Sequence, residues 1–295
     1  MGHGKLRKFA ENETFSCLLQ PSAEEFLADG YFSLRDHEIK GRWNGEMFHE
    51  ARPIIVELGC GKGEYTIDLS RRIPGNNYIG VDIKGARLWK GAKYAHENSL
   101  GNVAFLRTRI EFITAFFAPG EVSEIWLTFS DPQMKSENSR LSSPLFLERY
   151  RSFMKEGGIV HLKTDSRFLH EYTKAVCEAN SLRILACTDD LYSTPREELL
   201  GAVSVGGTSS GTMSSQASPA NTSTLGEERV DAIYGVQTFY ERMFLQKGLK
   251  ITYLSFVIDH DGPFVHPDFD EDYWRAVEGP RRSFDHQPSK GTRPE

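Results

Sequence analysis

A carboxylate and three glycines stand at the end of the first predicted strand of the chain. The apolar run 53–58 leads into ELGCGKG, in which Glu57 precedes Gly59, Gly61 and Gly63. Glycines at a strand end allow a tight turn and a close approach to a ligand, because no Cβ is in the way. The dinucleotide pattern G-x-G-x-x-G fails, since its last place holds a glutamate. A carboxylate here would repel a pyrophosphate but can reach the ammonium of S-adenosylmethionine, directly or through water, so the loop favours that cofactor.

A second carboxylate stands at the end of the next predicted strand, 77–81. Asp82 lies 19 residues beyond Gly63, near the usual distance for an acid that accepts hydrogen bonds from a ribose diol. Taken alone, Asp82 is equally well explained as a helix N-cap, and the glycines as turn residues. Together, at two neighbouring strand ends, they favour a nucleoside cofactor.

A third carboxylate, Asp131, follows the predicted strand 124–129 in the stretch FSDPQMK. Pro132 has a fixed φ and restrains the backbone of Asp131. In a doubly wound sheet this strand end lies beside the glycine loop, so a carboxylate there stabilises positive charge as a methyl group moves from a sulfonium to a ring nitrogen. At about 4 Å and an effective dielectric near 20, two unit charges interact by about 4 kcal/mol. The alternative for this Asp-Pro pair alone is a turn that caps the next segment.

Strands and helices alternate along the predicted chain. Strands are predicted at 53–58, 77–81, 103–106, 124–129, 157–163, 183–187 and 250–258, and helices at 62–71, 83–98, 142–154, 167–179 and 235–246, with a short helix from Ile110. This order predicts an α/β fold with a doubly wound, mostly parallel, seven-stranded Rossmann-like sheet, whose last strand we expect to be antiparallel. Ligands of such sheets bind beyond the carboxyl ends of the strands.

Two segments lack the composition of a core. Residues 193–230 are rich in Ser, Gly and Thr, and residues 259–295 are rich in Pro, Asp, Arg and His. Such segments bury too little apolar surface to offset ordering entropy. We therefore predict an N-terminal extension over 1–50, a methyltransferase domain over 51–258 with an insert at 193–230, and a disordered tail over 259–295.

Charge and cysteine usage constrain partners and compartment. The net charge of −6 argues against a nucleic-acid partner, but 84–109 carries six basic residues against Glu97 alone. Binding follows the local field rather than the total, although a solvated helix face is the simpler explanation for 84–93 by itself. Four cysteines without metal spacing suit a reducing cytosol. No apolar run approaches a membrane span, and the start of the chain has no apolar segment typical of secretion, so we expect a cytoplasmic protein.

Four blocks of the sequence resemble the tRNA (guanine-N7-)-methyltransferase family. They are ELGCGKG at 57–63, FSDPQMK at 129–135 with Arg140-Leu141, KTD at 163–165 and TFYE at 238–241. The resemblance covers Lys5 to about Ile258 without the insert. It implies a class I methyltransferase fold, S-adenosylmethionine as cofactor, and methylation of N7 of a guanine in the tRNA variable loop.

The resemblance also implies roles for individual residues. Cofactor contacts fall on Glu57, Asp82 and Asp131, and Asp131 is also the implied catalytic residue. Substrate contacts would fall on Lys135, Asp165, Thr238, Phe239, Tyr240 and Glu241. RNA contacts would fall on Glu137, Asn138, Ser139, Arg140, Leu141 and Ser142.

The chain departs from the family pattern near the catalytic block and near the adenine. Many bacterial members have D-P-W-P-K where this chain has DPQMK, and the following loop, SENSR, is less basic. The carboxylate expected near the adenine is replaced around Arg109, so the adenine contact is open, with Glu111 as one candidate.

Guanine N7 carries no proton, so positioning and charge stabilisation are expected to supply catalysis without a general base. Asp165 and Glu241 are expected to accept from the guanine edge, with Thr238 beside them. The expected partner is tRNA, without a membrane, and the protein is expected to be a monomer or homodimer. Two alternatives remain: a methyltransferase acting on a small molecule or protein, and a non-catalytic RNA- or nucleotide-binding module.

Overall fold

The computed structural model describes residues 3–28, 33–201 and 225–279. Most of the predicted insert, 202–224, and the last part of the predicted tail, 280–295, lie outside the described residues.

One mixed sheet of eight strands forms the centre of the described fold. The strands are β1 Leu18–Leu19, β2 Ile54–Leu58, β3 Asn77–Asp82, β4 Val103–Arg107, β5 Val122–Thr128, β6 Met154–Thr164, β7 Ile184–Thr188 and β8 Thr252–Val257. Their spatial order is β1-β4-β3-β2-β5-β6-β8-β7. Every pairing is parallel except those of β8, which runs antiparallel to both β6 and β7. The predicted doubly wound, mostly parallel sheet and its antiparallel last strand are confirmed.

The eighth strand is a difference from the seven predicted. It is the two-residue β1, which the N-terminal extension adds beside β4. Two residues are too few to show the alternation by which a strand is recognised in a sequence.

Ten α-helices of the described residues connect and cover the strands. They are α1 His3–Asn12, α2 Ala23–Phe26, α3 Glu64–Arg72, α4 Gly85–Glu97, α5 Pro144–Arg151, α6 Arg167–Ala179, α7 Arg196–Gly201, α8 Glu227–Gly235, α9 Phe239–Gln246 and α10 Glu271–Glu278. Shorter helical turns of other types lie at Trp43–Met47, Ile110–Ala115 and Glu137–Ser139. Each of the ten helices is too short or too polar to cross a membrane.

The helix predicted over 235–246 begins only at Phe239, as α9, and a separate helix, α8, precedes it. Helix α8 ends at Gly235, and α9 begins after Thr238, whose hydroxyl accepts a hydrogen bond from the backbone N–H of Glu241. A threonine followed three residues later by a glutamate is a capping box, so the local chemistry starts a new helix here.

Both faces of the central strands are buried because helices cover each side. In β2, Val56 and Leu58 face a core shared with α5 and α6, while Ile55 faces a second core shared with α3 and α8. The near-continuous apolar runs of β2 and β5 follow from this, since a parallel strand buried on both faces has no polar side.

A buried polar network crosses the second core. His161 Nδ1 lies 2.7 Å from the Tyr253 hydroxyl, and its Nε2 lies 3.2 Å from Glu124. Arg229 of α8 donates to the same Glu124 carboxylate at 2.7 Å from Nε. Burial opposes ionisation of Glu124, yet His161 and Arg229 together lower the pKa of Glu124 to about 2. The arginine thereby fixes α8 to the sheet.

Both ends of the segment predicted as an insert belong to the fold. Leu199 of α7, Leu225 just before α8, and Val230 within α8 are buried in the second core. The residues at the centre of 193–230 dominate the composition of this segment. The few leucines and valines at its ends, which pack against the sheet, are therefore not evident from composition.

The prediction of a disordered tail is wrong for residues 259–279, because these residues pack on the domain. Phe264 is buried in the first core, and Phe269 packs against its edge. Arg151 donates to the carbonyl of His260 at 3.2 Å, and Asp270 caps helix α10 by accepting from the N–H of Tyr273 at 2.9 Å. Single phenylalanines anchor this segment without producing any apolar period.

We expect the substitution Phe264→Ala to lower the free energy of unfolding by about 3 kcal/mol, because it leaves a cavity in the core. The matched control is Val265→Ala, since the Val265 side chain is half exposed and should change stability by no more than about 0.5 kcal/mol. Urea denaturation measures both. Equal stability of the two variants would show that the segment contributes no packing energy.

Candidate active site

Four parallel strands end at the same edge of the sheet and bring the predicted polar residues together. Glu57 lies near the end of β2 and Asp82 ends β3. Asp131 and Asp165 follow β5 and β6 within three residues. Because β3, β2, β5 and β6 are consecutive neighbours, the four carboxylates belong to one edge, as predicted from their positions in the sequence.

The glycine loop between β2 and α3 has the conformation that its sequence requires. Gly59, Gly61 and Gly63 have φ values of +79°, +58° and +71°, which residues with a side chain rarely adopt. A Cβ on Gly63 would lie 2.5 Å from the ring of Phe105, whereas nothing lies within 4 Å of the corresponding position on Gly59 or Gly61. The ring of Phe105 therefore leaves no room for a side chain at residue 63, whereas Gly59 and Gly61 leave open space at the loop.

Asp82 fixes the glycine loop to β3. Its Oδ2 accepts from the N–H of Gly61 at 3.0 Å, and its Oδ1 accepts from the N–H of Lys84 at 2.7 Å. The side chain is almost buried, and it joins the loop to the start of α4. Asp82 therefore organises the turn before α4, although the N-cap of that helix is Lys84, and its predicted contact with a ribose stays a prediction.

Glu57 joins three elements beneath the site. One carboxylate oxygen accepts from the hydroxyl of Thr128, at the end of β5, at 2.5 Å. The other accepts from the backbone N–H of Thr66 in α3 at 2.8 Å and from the Thr66 hydroxyl. Burial raises the pKa of Glu57 to about 7, although these hydrogen bonds act in the opposite direction. Its predicted contact with a cofactor ammonium stays a prediction.

Asp131 is exposed, and its loop has a strained backbone. The flanking residues Phe129 and Gln133 have φ values of +50° and +47°, in a region that costs a residue with a side chain about 1–2 kcal/mol. Asp131 Oδ1 accepts from the N–H of Gln133 at 2.9 Å, and the N–H of Phe129 donates to the carbonyl of Lys163 at 2.9 Å. Strained residues concentrate at functional sites, and the carboxylate faces solvent rather than the core.

The KTD and TFYE blocks meet in a buried ion pair that the sequence did not predict. Lys163 Nζ lies 2.8 Å from Glu241 Oε1, and neither side chain is exposed. The same ammonium donates to the carbonyls of Ile233 and Val236, at 2.7 and 2.9 Å, and Tyr192 donates to Glu241 at 2.5 Å. The sequence feature that could have predicted this pair is Lys163, a lysine inside a predicted buried strand, because a buried positive charge requires a carboxylate partner.

This pair changes the expectation for two residues of TFYE. Glu241 and Thr238 form the capping box that begins α9, and Glu241 also holds Lys163. Both side chains position the first turn of α9, and the substrate contacts predicted for them stay predictions.

Phe239 and Tyr240 lie beside the glycine loop. The Phe239 ring is half exposed, and Lys62 Nζ lies 5.1 Å from its centre and 5.8 Å from the centre of Tyr240. The N–H of Phe239 donates to Glu64 at 2.8 Å. The first turn of α9 is therefore fixed to the end of the loop that carries the three glycines.

The loop predicted to contact RNA is partly a buried scaffold. Arg140 is fully buried, and its guanidinium lies 4.8 Å from the ring centre of Phe168 and 4.4 Å from that of Tyr172. Ser142 is also buried, with its hydroxyl 2.6 Å from that of Thr173. An arginine in these surroundings packs within the protein.

The remaining predicted contacts of this region are more open. Lys135, Asn138 and Ser139 are exposed, and Asp165 is half-buried. Glu137 accepts from the Tyr172 hydroxyl at 2.8 Å, and Leu141 is half-buried against the first core.

A cavity of about 310 Å³ opens next to Asp82, at the ends of β3 and β4. Its lining residues come from the extension and from both strand ends: Gln20, Pro21, Phe26, Ile83, Arg107, Thr108, Arg109 and Phe112. Ile83 is half exposed, and the buried hydroxyl of Thr108 has no hydrogen-bond partner among the described residues. Glu111, the candidate for an adenine contact, pairs with Arg109 at 2.9 Å.

Comparisons with known proteins identify the family. A family model described as "Putative methyltransferase" matches residues 51–199. The chain is 41% identical over 285 residues to the tRNA (guanine-N(7)-)-methyltransferase of Bacteroides fragilis, covering 96% of this chain and 98% of that protein. It is 44% identical over 259 residues to the protein of the same name from Christiangramia forsetii, covering 86% and 97%.

This chain belongs to the tRNA (guanine-N(7)-)-methyltransferase family. The resemblance drawn from four sequence blocks is thus confirmed, and with it the class I methyltransferase fold and the dependence of the family on S-adenosylmethionine. Among solved structures, the 16S rRNA methyltransferase KamB is 14% identical, with a TM-score of 0.48, over 75% of this chain and 94% of that one.

The raised pKa of Glu57 predicts a specific dependence of stability on pH. Between its ordinary value of 4.5 and the folded value of about 7, the folded protein binds a proton that the unfolded chain releases. The contribution of Glu57 to stability is therefore complete below pH 4.5 and is lost as the pH rises through 7. The size of the loss is about 3 kcal/mol.

Glu57→Gln, which cannot ionise, should lose less stability over this interval than the wild type, as measured by urea denaturation from pH 4.5 to 8. The control is Glu156→Gln at an exposed position, which should follow the wild type. A constant offset between Glu57→Gln and the wild type at every pH would contradict the assignment.

Removal of one partner of the buried pair should destabilise the fold. Glu241→Ala leaves the ammonium of Lys163 buried without its carboxylate, and such a loss typically costs 3–5 kcal/mol, so we expect about 3 kcal/mol. Arg242→Ala, at the exposed next position of α9, serves as control in the same denaturation experiment. Full stability of Glu241→Ala with loss of activity would instead support direct recognition of substrate by Glu241.

Proposed function

We propose that this chain transfers a methyl group from S-adenosylmethionine to N7 of a guanine in the variable loop of tRNA. The observation that carries the proposal is the identity of 41–44% with tRNA (guanine-N(7)-)-methyltransferases over most of the chain. The arrangement at the edge of the sheet supports it, because the exposed carboxylate of Asp131 follows β5, the direct neighbour of the strand that leads into the glycine loop.

The described residues fit the cofactor on both sides of Asp82. The space at Gly59 and Gly61 accepts the amino acid portion, close to the carboxylate of Glu57. Asp82 is assigned the ribose hydroxyls. The cavity beyond it accepts the adenine, with Ile83 as an apolar surface and the Thr108 hydroxyl, which has no partner among the described residues, as a hydrogen-bonding group. When bound, the cofactor supplies an electrophilic methyl group on a positively charged sulfur.

Asp131 has the electrostatic role in this proposal. Transfer to N7 moves positive charge from the sulfur to the purine, and a fixed carboxylate beside the path stabilises that charge throughout. The hydrogen bond from the N–H of Gln133 to the Asp131 carboxylate limits the freedom of that side chain, so little reorganisation is needed when the charge moves. No residue has to remove a proton, because guanine N7 carries none.

Exposed residues around Asp131 supply the substrate side. The half-exposed ring of Phe239 offers a surface on which an unstacked base can lie, as aromatic side chains do in recognition of single-stranded RNA. Asp165 is assigned the hydrogen-bond donors of the guanine edge, and Tyr240 is assigned a further contact with the substrate. Lys135 is assigned a phosphate, together with exposed atoms of Asn138 and Ser139.

The basic residues of α4 are less available than their sequence suggests. Lys90 pairs with Glu64 at 3.1 Å, and Lys93 lies 3.5 Å from Glu97 and 3.9 Å from Glu11. We assign this face a minor part in RNA binding.

Because its substrate is tRNA, the enzyme is cytoplasmic in this proposal. It acts as a monomer or homodimer.

Transfer of labelled methyl from S-adenosylmethionine to bulk tRNA tests the proposal, followed by reduction and aniline cleavage, which cuts the chain at 7-methylguanosine. A cut in the variable loop supports it. Label on protein or on small molecules alone would support the rival methyltransferase, and absence of cofactor binding in calorimetry would support the non-catalytic module.

Asp131→Asn should lower kcat for tRNA methylation by about 10²-fold, the usual effect of removing one electrostatic contact to the transition state. Binding of tRNA and thermal stability should change little, because Asp131 is exposed. The control is Asp261→Asn, an exposed acid beyond the end of β8. Equal losses of tRNA binding and turnover in Asp131→Asn would contradict a role in the chemical step.

A further inference from the structure

We propose that the C-terminal helix α10 belongs to the catalytic apparatus, in which Glu271 and Arg275 are positioning residues for the loop that carries Asp131. The inference rests on the proposed function, because it assigns these residues to the same reaction. The segment that holds them follows the last strand and was expected from its composition to be disordered.

Arg275 holds the backbone of the loop directly. Its Nε and Nη2 both donate to the carbonyl oxygen of Met134, at 2.9 and 2.6 Å. Met134 is three residues beyond Asp131, and it directly follows Gln133, the residue in the left-handed conformation.

Arg140 holds the backbone on the N-terminal side of Gln133. Its Nε donates to the carbonyl of Pro132 at 3.3 Å, and its guanidinium is fully buried between two aromatic rings. The carbonyls on the two sides of Gln133 are therefore each held by an arginine, and a strained conformation persists only when its surroundings fix it in this way.

Glu271 connects the two arginines. Its Oε1 lies 2.8 Å from Nη1 of Arg140, and its Oε2 accepts from Nη2 of Arg275. Among the described residues, Glu271 is the only acidic side chain that pairs with the buried guanidinium of Arg140. One side chain of α10 thus orients both groups that hold the Asp131 loop.

Contacts with α6 attach the helix firmly to the domain. The ring of Phe269 meets Phe168 and Tyr172 edge-on, with centres 5.6 and 5.5 Å apart. At the other end of α10, Glu278 accepts from the N–H of Phe168 at 3.1 Å. These contacts favour a permanent support of the loop over a displaceable acidic cover that competes with RNA.

The test compares Arg275→Ala with the conservative Arg275→Lys and with the control Val277→Ala, a half-exposed position on the same helix. We expect Arg275→Ala to lower kcat for tRNA methylation by about 10²-fold, the effect of a misplacement near 1 Å at a reacting group. KM for cofactor and tRNA should stay within about threefold of the wild type, and Tm should match that of Val277→Ala. Arg275→Lys should regain part of kcat, since one donor remains.

A second measurement separates this inference from the proposed function. Hydrogen exchange of the peptide 129–137 should be at least tenfold faster in Arg275→Ala than in Val277→Ala, whether or not the wild type methylates tRNA. Absence of methylation by the wild type would refute the proposed function alone. Unchanged exchange, unchanged kcat, a rise in kcat from removal of an acidic cover, or a fall in kcat that merely follows a fall in Tm would each overturn the role of α10.

Discussion

The hydrogen bonds of the buried Glu57 carboxylate fix the relative positions of three elements on which the site depends. Thr128 is the last residue of β5 and Thr66 lies in the first turn of α3, so one side chain joins β2 to the strand that precedes Asp131 and to the helix that follows the glycine loop. A slip of β5 against β2 would break these bonds in the dry interior, where an unsatisfied polar group costs about 1–3 kcal/mol. The distance between the glycine loop and the Asp131 loop is set in this way.

A division between buried and exposed residues recurs in the blocks that carry Asp131 and Phe239. Lys163, Glu241 and Arg140 are fully buried and hold neighbouring segments, whereas Asp131 and Phe239 are exposed at the edge of the sheet. The buried residues supply rigidity, because an ion pair or a bidentate contact without water has few alternative geometries. The exposed residues can then meet a substrate, because the buried residues hold the segments that carry them.

Much of the scaffold follows from patterns that a sequence displays. Buried parallel strands produce apolar runs such as 53–58, and the left-handed turns after β2 require glycines, so the sheet and the loop were predictable. Residues 259–279 were not, because Phe264 and Phe269 anchor them as single side chains with no period. The roles of Arg140 and Glu241 also depend on partners distant in the sequence: Glu271 for the arginine, and Lys163 for the glutamate. The family resemblance suggested RNA or guanine as their partner.

The proposed reaction explains why rigidity is concentrated at the Asp131 loop. A transfer without a proton step gains nothing from an acid or base near neutral pH, and it gains most from a charge that is already in place. Two left-handed residues beside Asp131 oppose such fixation, since each favours a relaxed loop by about 1–2 kcal/mol. The hydrogen bonds of Arg140 and Arg275 to the adjacent carbonyls offset this tendency. A short helix at the end of the described chain therefore bears on the chemistry through backbone geometry, without any contact with the reacting atoms.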